Sequence, residues 1–177
     1  ERIIVMGGDL GSTSLTNDTW KSADKGATWT LQNASSGWLQ RRGISSVVMP
    51  DASIVLTAGS YMDTNLKYSN ETWRSTDKGV SWTRVNASSG WPERHDHTSV
   101  ALPDGSIVLL GGYLFDGGQD TLFNDTWRFQ PAGSSAAGPA RARAGLSPSD
   151  PRRAPALRTR MAGRPGRVVG VVGQRHE

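Results

Sequence analysis

Short apolar segments, bounded by turn-forming residues, run through the first 130 positions of the chain. Three of these segments end in a pair of small residues, IIVMGG at Gly8, SIVLTAG at Gly59 and SIVLLGG at Gly112. Other segments alternate in side-chain character, as in Ser81 to Val85. Because no stretch places apolar residues at the i, i+3, i+4 spacing of a helix, the pattern predicts β-strands.

The segments recur in long repeats. Similar strings begin at three positions, NDTWKSADKGATWTLQNASSGW at Asn17, NETWRSTDKGVSWTRVNASSGW at Asn70 and NDTWRF at Asn124. Their first tryptophans are 53 and 54 residues apart. Four short strands in a unit of this length predict an all-β fold of four-stranded antiparallel blades that stack as in a β-propeller.

Each unit contributes four predicted strands, from which we expect one blade. They are the apolar strand, the Asn-x-Thr-Trp strand, a strand after the second Trp, and a fourth strand such as Thr98 to Leu102. Pro103-Asp104-Gly105 predicts a turn before the next apolar strand, because Pro presets φ and Gly accepts a positive φ. The first copy has Ala52 where Gly105 stands, which leaves the type of that turn open.

The apolar strand that ends in Gly-Gly, followed by Asn-Asp-Thr-Trp and a second Trp, resembles the kelch repeat. The resemblance extends from Arg2 to Phe129, and the second copy departs from it with Ala58 in place of the first glycine. It implies a propeller in which the glycine pair and the aromatic residues are structural. Because such blades stack on one another, we expect the tryptophans to lie between the sheets. The residues that carry this role are Gly7, Gly8, Gly111, Gly112, Trp20, Trp29, Trp73, Trp82 and Trp127.

A second motif lies inside the repeat. Ser22 to Trp29 and Ser75 to Trp82 resemble the Asp-box of sialidases and other propellers. The resemblance implies a turn that stabilises a hairpin away from any active site. Because the Asp-box also occurs in many proteins that are not enzymes, it indicates a propeller more than it indicates a sialidase.

Charge and aromatic content divide the chain. Residues 1–130 hold 11 basic and 14 acidic residues and every Trp, Tyr and Phe, whereas residues 131–177 hold 9 Arg and 2 acidic residues. The high pI therefore belongs to the second part and does not indicate that the first binds nucleic acid. We predict propeller blades over 1–130 and a disordered Arg/Pro/Ala/Gly-rich tail over 131–177. The abrupt change within a blade also raises the hypothesis that the tail comes from a non-native reading frame.

The repeats account for about two and a half blades, whereas closed propellers have roughly 4–8. We therefore expect a fragment of a larger propeller, a chain that pairs with another copy, or a chain whose open blade edges self-associate.

Two arginines and one histidine are the candidate binding residues. Arg41 and Arg94 match in the repeat and lie three residues after Trp38 and Trp91, just before a predicted strand. An arginine at such a loop mouth either binds an acidic ligand or partner, or holds the neighbouring blade, and the structural role is favoured. His95 adjoins them as the third candidate.

His95 begins the sequence His-Asp-His. On an extended strand the two histidines share one face and Asp96 lies on the other, so the three side chains do not converge on a metal. We expect polar packing there and no metal site.

Five Asn-x-Ser/Thr sequons occur, at Asn17, Asn33, Asn70, Asn86 and Asn124. In a secretory pathway some would accept glycans. The favoured interpretation is that three of them are the turn residue of the Asn-x-Thr-Trp motif.

The chemistry favours binding over catalysis. Acidic residues recur at matching positions in the repeats, which is typical of turns and not of a single acid–base pair. A relative of galactose oxidase would need a Cys for its thioether-linked cofactor, and the chain has none. We expect a non-catalytic propeller segment that binds a protein or a carbohydrate at its loops, with no cofactor, specific nucleic acid or membrane span. The alternatives are a piece of a larger glycosidase or oxidase and a truncated gene product without function; the compartment is not predicted.

Overall fold

The computed structural model describes residues 2–11 and 14–131, so the predicted tail lies outside the described residues except for Pro131. Every regular element in these ranges is a β-strand. Among them there is no helix with the length and apolar character that crossing a membrane requires. The strands are β1 (Ile3–Asp9), β2 (Leu15–Ser22), β3 (Thr30–Asn33), β4 (Arg41–Arg42), β5 (Ser45–Val48), β6 (Ile54–Thr57), β7 (Ser60–Met62), β8 (Leu66–Tyr68), β9 (Thr72–Ser75), β10 (Thr83–Asn86), β11 (Thr98–Ala101), β12 (Ile107–Leu110), β13 (Tyr113–Asp116), β14 (Gln119–Leu122) and β15 (Thr126–Phe129).

Three antiparallel sheets, which we call blades 1, 2 and 3, form the body of the described chain. Blade 1 has the strand order β1-β2-β3, blade 2 has β5-β6-β9-β10, and blade 3 has β11-β12-β15. The apolar run β6 lies inside its sheet, and all four of its residues are buried. The fold is all-β and has the architecture of a partial β-propeller, as the sequence predicts.

The grouping of strands into blades differs from the expected one. The fourth strand of each sequence unit pairs with the apolar strand of the following unit, so β5 pairs with β6 and β11 with β12. A short turn joins each of these pairs, whereas a long connection precedes β5 and β11, and the shorter connection favours pairing. Each of blades 2 and 3 therefore takes its first strand from the preceding repeat.

The turns that join these pairs have the same geometry. The N–H of Gly105 donates to the carbonyl of Leu102, and the N–H of Ala52 donates in the same way to Met49. Ala52 has a φ of 64°, close to the 79° of Gly105. The open question of the turn type is thus answered, because the alanine adopts the left-handed conformation that Gly takes without steric cost.

Strand direction sorts the connections to two ends of the blades. In an antiparallel sheet the β5–β6 and β9–β10 turns lie at one end, which we call the turn end. The β6–β9 connection and the segments that link one blade to the next lie at the opposite end, which we call the loop end.

Two hairpins, β7–β8 and β13–β14, extend the loop end and carry Tyr61, Tyr68 and Tyr113. In the second hairpin Tyr113 pairs with Leu122. Its turn is Gly117-Gly118, and both glycines have a positive φ, 57° and 87°. Such a pair favours a two-residue hairpin turn. The backbone N–H and C=O groups of the inserted segment therefore bond to each other between its two strands.

The two glycines of the repeated pair have different roles. A Cβ on the second glycine would lie 2.6 Å from Ile44 Cγ2 at Gly59 and 2.9 Å from the His95 carbonyl at Gly112, so the inter-blade connection passes too close for a side chain. In blades 2 and 3 the first position has more room, whereas in blade 1 the first glycine, Gly7, is the crowded one, because a Cβ there would lie 3.2 Å from the Arg41 carbonyl. Ala58 occupies it at a φ of 56°, where Gly111 has 61°. This explains why the second copy tolerates the departure from Gly-Gly.

A buried tryptophan fills each junction between blades. Trp38 is only 1% exposed, and its ring meets Trp82 of blade 2 edge-on at 4.7 Å between centroids. Trp91, also 1% exposed, packs against Phe129 of blade 3 at 4.5 Å. The junction between blades 2 and 3 also contains an apolar cluster of buried side chains, Met49, Val55 and Ile107.

The expectation that the tryptophans in general lie between sheets is wrong for three of them. Trp20 and Trp127 are each 36% exposed and Trp29 is 40% exposed. Trp73, by contrast, is covered by Trp38 on one side and by Arg84 of its own outer strand. Blade 1 has no such preceding connection among the described residues, and blade 3 has no described outer strand, so their tryptophans are less covered.

We predict that Trp38→Ala lowers the free energy of unfolding by about 3–5 kcal/mol, because it empties the junction between blades 1 and 2. Trp29→Ala is the matched control, since that ring is 40% exposed, and it should cost much less. Urea unfolding followed by tryptophan fluorescence measures both. Equal losses for the two variants would contradict the role of Trp38.

Candidate functional site

The three candidate residues lie together at the loop end, on the segments that enter blades 2 and 3. Arg41 begins β4, and Arg94 and His95 occupy the matching place before β11. Each arginine follows its buried tryptophan within a Trp-x-x-Arg segment. All three candidates are buried.

Arg94 is fully buried, and its partners belong to this chain. Nη1 and Nη2 donate to the two carboxylate oxygens of Asp125 at 2.6 and 2.8 Å. Nη1 also donates to the Gly111 carbonyl at 2.7 Å, and Nε donates to the Pro92 carbonyl at 3.1 Å. The guanidinium carbon lies 4.0 Å from the centre of the Phe123 ring. Four of its five N–H groups are therefore engaged.

Arg41 repeats this arrangement one blade earlier. Its Nη2 donates to Glu71 at 2.8 Å, and Nη1 donates to the Ala58 carbonyl and to the Ser69 hydroxyl, each at 3.2 Å. Nε donates to the Leu39 carbonyl at 3.0 Å. Of the two roles that the sequence left open, a carboxylate of a ligand or a contact with the neighbouring blade, the contacts are those of the second, because the carboxylate belongs to the blade that the arginine precedes.

The acidic partner also holds the tryptophan of its own motif. Trp73 Nε1 donates to Glu71 at 3.1 Å, and Trp127 Nε1 donates to Asp125 at 2.7 Å. Hydrogen bonds from Arg94 first, and then from Trp127, outweigh desolvation and lower the pKa of Asp125 to about 2. Burial raises the pKa of Glu71, but hydrogen bonds from Arg41, Trp73 and Arg84 outweigh it and keep that pKa below its ordinary value.

His95 lies between two aromatic rings that the hairpins supply. Its ring centre is 5.1 Å from Tyr68 of β8 and 5.1 Å from Tyr113 of β13. Its backbone pairs with Tyr113 in both directions, at 3.0 and 2.9 Å. Nε2 is buried and has no partner among the described residues. Burial lowers the pKa of His95 despite the opposing charge of Asp96, so the neutral ring is favoured.

Asp96 does not point away from His95, as an extended strand would require. Its carboxylate Oδ2 lies 3.1 Å from His95 Nδ1. The reason is a φ of 53° at Asp96, which interrupts the alternation of side chains. In the described ranges no three His, Cys, Asp or Glu side chains are grouped so that they would hold a metal ion.

His97 is a buried residue that sequence reasoning did not single out on its own. Its Nε2 is 2.8 Å from the Thr57 hydroxyl of β6. Burial, and then the charge of Arg94, lower its pKa to about 4. At neutral pH it is therefore an uncharged link between the entry to blade 3 and blade 2.

The exposed apolar side chains of the loop end were not predicted from the sequence. Five large ones lie there with solvent-exposed fractions between 43% and 80%: Leu10, Leu39, Met62, Phe115 and Leu122. All five lie outside the repeated motifs, in connections or hairpins. Apolar residues within segments of variable length were the available signal.

The turn end has repeated, self-contained chemistry. In the β2–β3 turn Asp24 accepts from the Thr28 N–H at 2.9 Å and from its hydroxyl at 2.6 Å, and Ser22 Oγ donates to it at 2.7 Å. The β9–β10 turn has the same bonds around Asp77. Hydrogen bonds from Thr28 lower the pKa of Asp24 to about 2. These acids are engaged in turn hydrogen bonds, as the sequence interpretation expects.

Comparisons with known proteins agree with the fold. The solved structure of YjhT, a β-propeller-type fold, matches with a TM-score of 0.57 and 14% sequence identity, over 76% of this chain and 41% of that one. Human Multiple epidermal growth factor-like domains protein 8 is 43% identical over 53 residues, which are 30% of this chain and 2% of the relative's length. No protein-family profile matches the chain. The chain thus spans less than half of the matched structure and a small part of the curated relative.

We predict that Asp125→Asn destabilises the protein at pH 7 by roughly 2–3 kcal/mol, because it leaves the Arg94 charge buried without a carboxylate. The loss is below that of a fully buried pair because the Asp125 side chain is 33% exposed. Asp104→Asn, in the exposed pair with Arg128, is the control and should cost much less, because solvent screens an exposed pair. Urea unfolding at pH 7 measures both.

Asp125→Asn should also change how the free energy of unfolding depends on pH under acidic conditions. The folded pKa of Asp125, about 2, lies below its ordinary value of 3.8, so its contribution is complete above pH 3.8 and is lost as pH falls toward 2. Asp125→Asn should therefore reduce the slope of stability in that range. An unchanged slope would contradict the assigned pairing.

We predict that His97→Gln flattens the pH dependence of stability between pH 6.5 and pH 4. The unfolded histidine takes up a proton below its ordinary pKa of 6.5, whereas the folded one does so only near 4, so stability is lost as pH falls through this range. Gln retains a polar group for the Thr57 hydroxyl. Urea unfolding at three pH values, with His95→Gln for comparison, gives the slopes; a wild-type slope in His97→Gln would contradict burial of a neutral ring.

Proposed function

We propose that this chain is a non-catalytic, kelch-type propeller segment whose loop end binds a protein partner. The observation that carries the proposal is the set of exposed apolar side chains on the connections and hairpins of that end. Leu122 is 80% exposed and Phe115 45%, both on the β13–β14 hairpin, and Met62 of the β7–β8 hairpin is 43% exposed. Exposed apolar side chains grouped on one side of a protein are typical of interaction surfaces.

The engagement of the repeated polar groups supports a binding role over catalysis. Arg41 and Arg94 are occupied by carboxylates of the chain. Asp24 and Asp77 are occupied by their own turns. A catalytic acid–base pair requires groups free to exchange protons with a substrate, whereas these groups recur as structural contacts in successive repeats.

The candidate residues Arg41, Arg94 and His95 have a positioning role in this proposal. They fix the segments from which the exposed surface projects, and they do not form its outer layer, because each is buried. Arg41 joins β4 to Glu71, the residue before β9, and His95 pairs with the base of the β13–β14 hairpin. A rigid base of this kind reduces the entropy lost when loops bind a partner.

Charge at the loop end favours a partner with basic groups around an apolar centre. Among the described residues, exposed acidic residues outnumber exposed basic ones there by six to two: Asp9, Asp63, Glu93, Asp96, Asp116 and Asp120 against Arg42 and Lys67. Complementary charge steers association and disfavours wrong partners. Four of the five exposed apolar side chains at this end are aliphatic, which favours a polypeptide over a carbohydrate, since a carbohydrate is recognised mainly through hydroxyl hydrogen bonds and aromatic rings.

A photo-crosslinking amino acid placed at Leu122 tests the proposal in an extract of the organism that encodes the chain. Val48, which is 68% exposed beside the β5–β6 turn, is the matched control at the turn end. We expect defined polypeptide adducts from the Leu122 probe, competed by excess unlabelled chain and absent from the Val48 probe. Phe115→Asp should reduce the adducts at least tenfold without a change in melting temperature.

Equal labelling from both probes, or none from the Leu122 probe, would contradict a binding surface at the loop end. Adducts to carbohydrate alone would replace the protein partner by a glycan. Turnover of a substrate by the purified chain would contradict the non-catalytic assignment.

A further inference from the structure

The five sequons differ in what the side-chain amide of each asparagine already does. In the Asn-x-Thr-Trp turn of blade 1, Asn17 Nδ2 donates to the Trp38 carbonyl at 2.8 Å and to Ser35 Oγ at 3.4 Å. Asn70 in blade 2 donates to the Trp91 carbonyl at 3.0 Å and to Ser88 Oγ at 3.3 Å. Both N–H groups of each amide are thus used to hold the segment that carries a buried tryptophan.

Asn33 is committed in a different way. Its Nδ2 donates across the junction between blades 1 and 2 to the carbonyl of Val80 at 2.7 Å, beside the matching bond from Gln32 to Lys78 at 2.6 Å. The side chain is only partly exposed. A sugar attached at this atom would have to lie between the two blades.

The side-chain amides of Asn86 and Asn124 make no hydrogen bonds of this kind. Both residues are exposed, and the Nδ2 atom of each has no partner among the described residues. In Asn86 only Oδ1 is used, as the acceptor for the Ser88 N–H at 3.0 Å. By repeat position their partners would lie beyond residue 131, where the Trp and Gly-Gly pattern stops.

We propose that Asn86 and Asn124 are N-linked glycosylation sites of this chain and that Asn17, Asn33 and Asn70 are structural amides. The transfer joins Nδ2 to C1 of a sugar supplied as a lipid diphosphate–linked oligosaccharide. The C1–O bond breaks, the lipid diphosphate leaves, and Nδ2 loses one proton. The amide keeps its oxygen and one N–H, so the Ser88 bond to Asn86 survives, whereas one of the two bonds of Asn17 or Asn70 does not.

The surroundings of Asn86 suit an attached sugar. A cavity of about 210 Å³ lies beside it at the outer side of the junction between blades 2 and 3. Its walls combine apolar side chains, Val85 and Phe129, with the polar side chains of Ser89 and Gln130. An N-acetylated pyranose presents both CH groups and hydroxyls, and a mixed lining of this type matches them.

Which chains can fold should depend on where they were glycosylated before folding. A glycan on Asn17 or Asn70 removes a bond that holds the Trp38 or Trp91 segment, so such chains should fail to close the junction between blades. Chains modified on Asn86 or Asn124 lose no contact of the described structure. Folded protein should therefore carry glycans at these two positions alone.

The test uses the full chain with an appended secretion signal, which supplies the secretory route, in a glycosylating cell line. Peptide mass spectrometry of the secreted monomer reads the occupancy of each sequon. We expect glycans at Asn86 and Asn124, a loss of one glycan in each of Asn86→Gln and Asn124→Gln, and an unchanged melting temperature. Asn17→Gln and Asn70→Gln should leave the mass of the glycans unchanged and lower the melting temperature.

A second measurement applies when little monomer is secreted. Chains that keep a single sequon are glycosylated, purified and refolded, and tryptophan fluorescence reports the burial of Trp38 and Trp91. Chains with a glycan at Asn86 or Asn124 should regain the native spectrum, and those with a glycan at Asn17 or Asn70 should not. A folded monomer with a glycan on Asn17 or Asn70, or one that leaves both Asn86 and Asn124 unmodified, would overturn the proposal.

Discussion

The structure depends on how each blade is fastened to the next. A Trp-x-x-Arg segment at the loop end makes both contacts that join neighbouring blades. Its tryptophan, Trp38 or Trp91, fills the gap between sheets. Its arginine, Arg41 or Arg94, binds the acidic residue of the following Asn-x-Thr-Trp motif. Removing a large ring from water supplies the non-directional part of the energy. The bidentate ion pair of Arg94 with Asp125 is directional, and it therefore fixes the angle at which the next strand begins.

The sequence predicts most of this framework because the framework repeats. Strand character, the antiparallel turns and the glycine pair follow from local patterns that occur two or three times, as in Asp24 and Asp77. The grouping of strands into blades was not predictable from the repeat alone, because a repeat has no natural starting point. Loop length settles it: the short turn between β5 and β6 makes them neighbours.

The candidate residues illustrate the limit of sequence reasoning more sharply. Matching positions identify Arg41 and Arg94 as a pair, but spacing cannot distinguish a carboxylate of the chain from one of a ligand. That distinction depends on which strand lies opposite, and Glu71 is 30 residues away along the chain. For the His-Asp-His segment the error came from assuming regular strand geometry, which the left-handed conformation of Asp96 interrupts. Backbone exceptions of this kind leave little trace in a single sequence.

The two ends of the blades are therefore subject to different structural constraints. At the turn end the repeated acids Asp24 and Asp77 are satisfied within a few residues, so the sequence around them is fixed by the needs of the turn. At the loop end the contacts that join the blades do not depend on which residues the hairpins carry. Arg94, for example, contacts the backbone of Gly111 and the carboxylate of Asp125, which lie before and after the β13–β14 hairpin in the chain. The fold therefore does not require the apolar side chains of residues such as Phe115 and Leu122, and this is why they are the basis of the proposed binding surface.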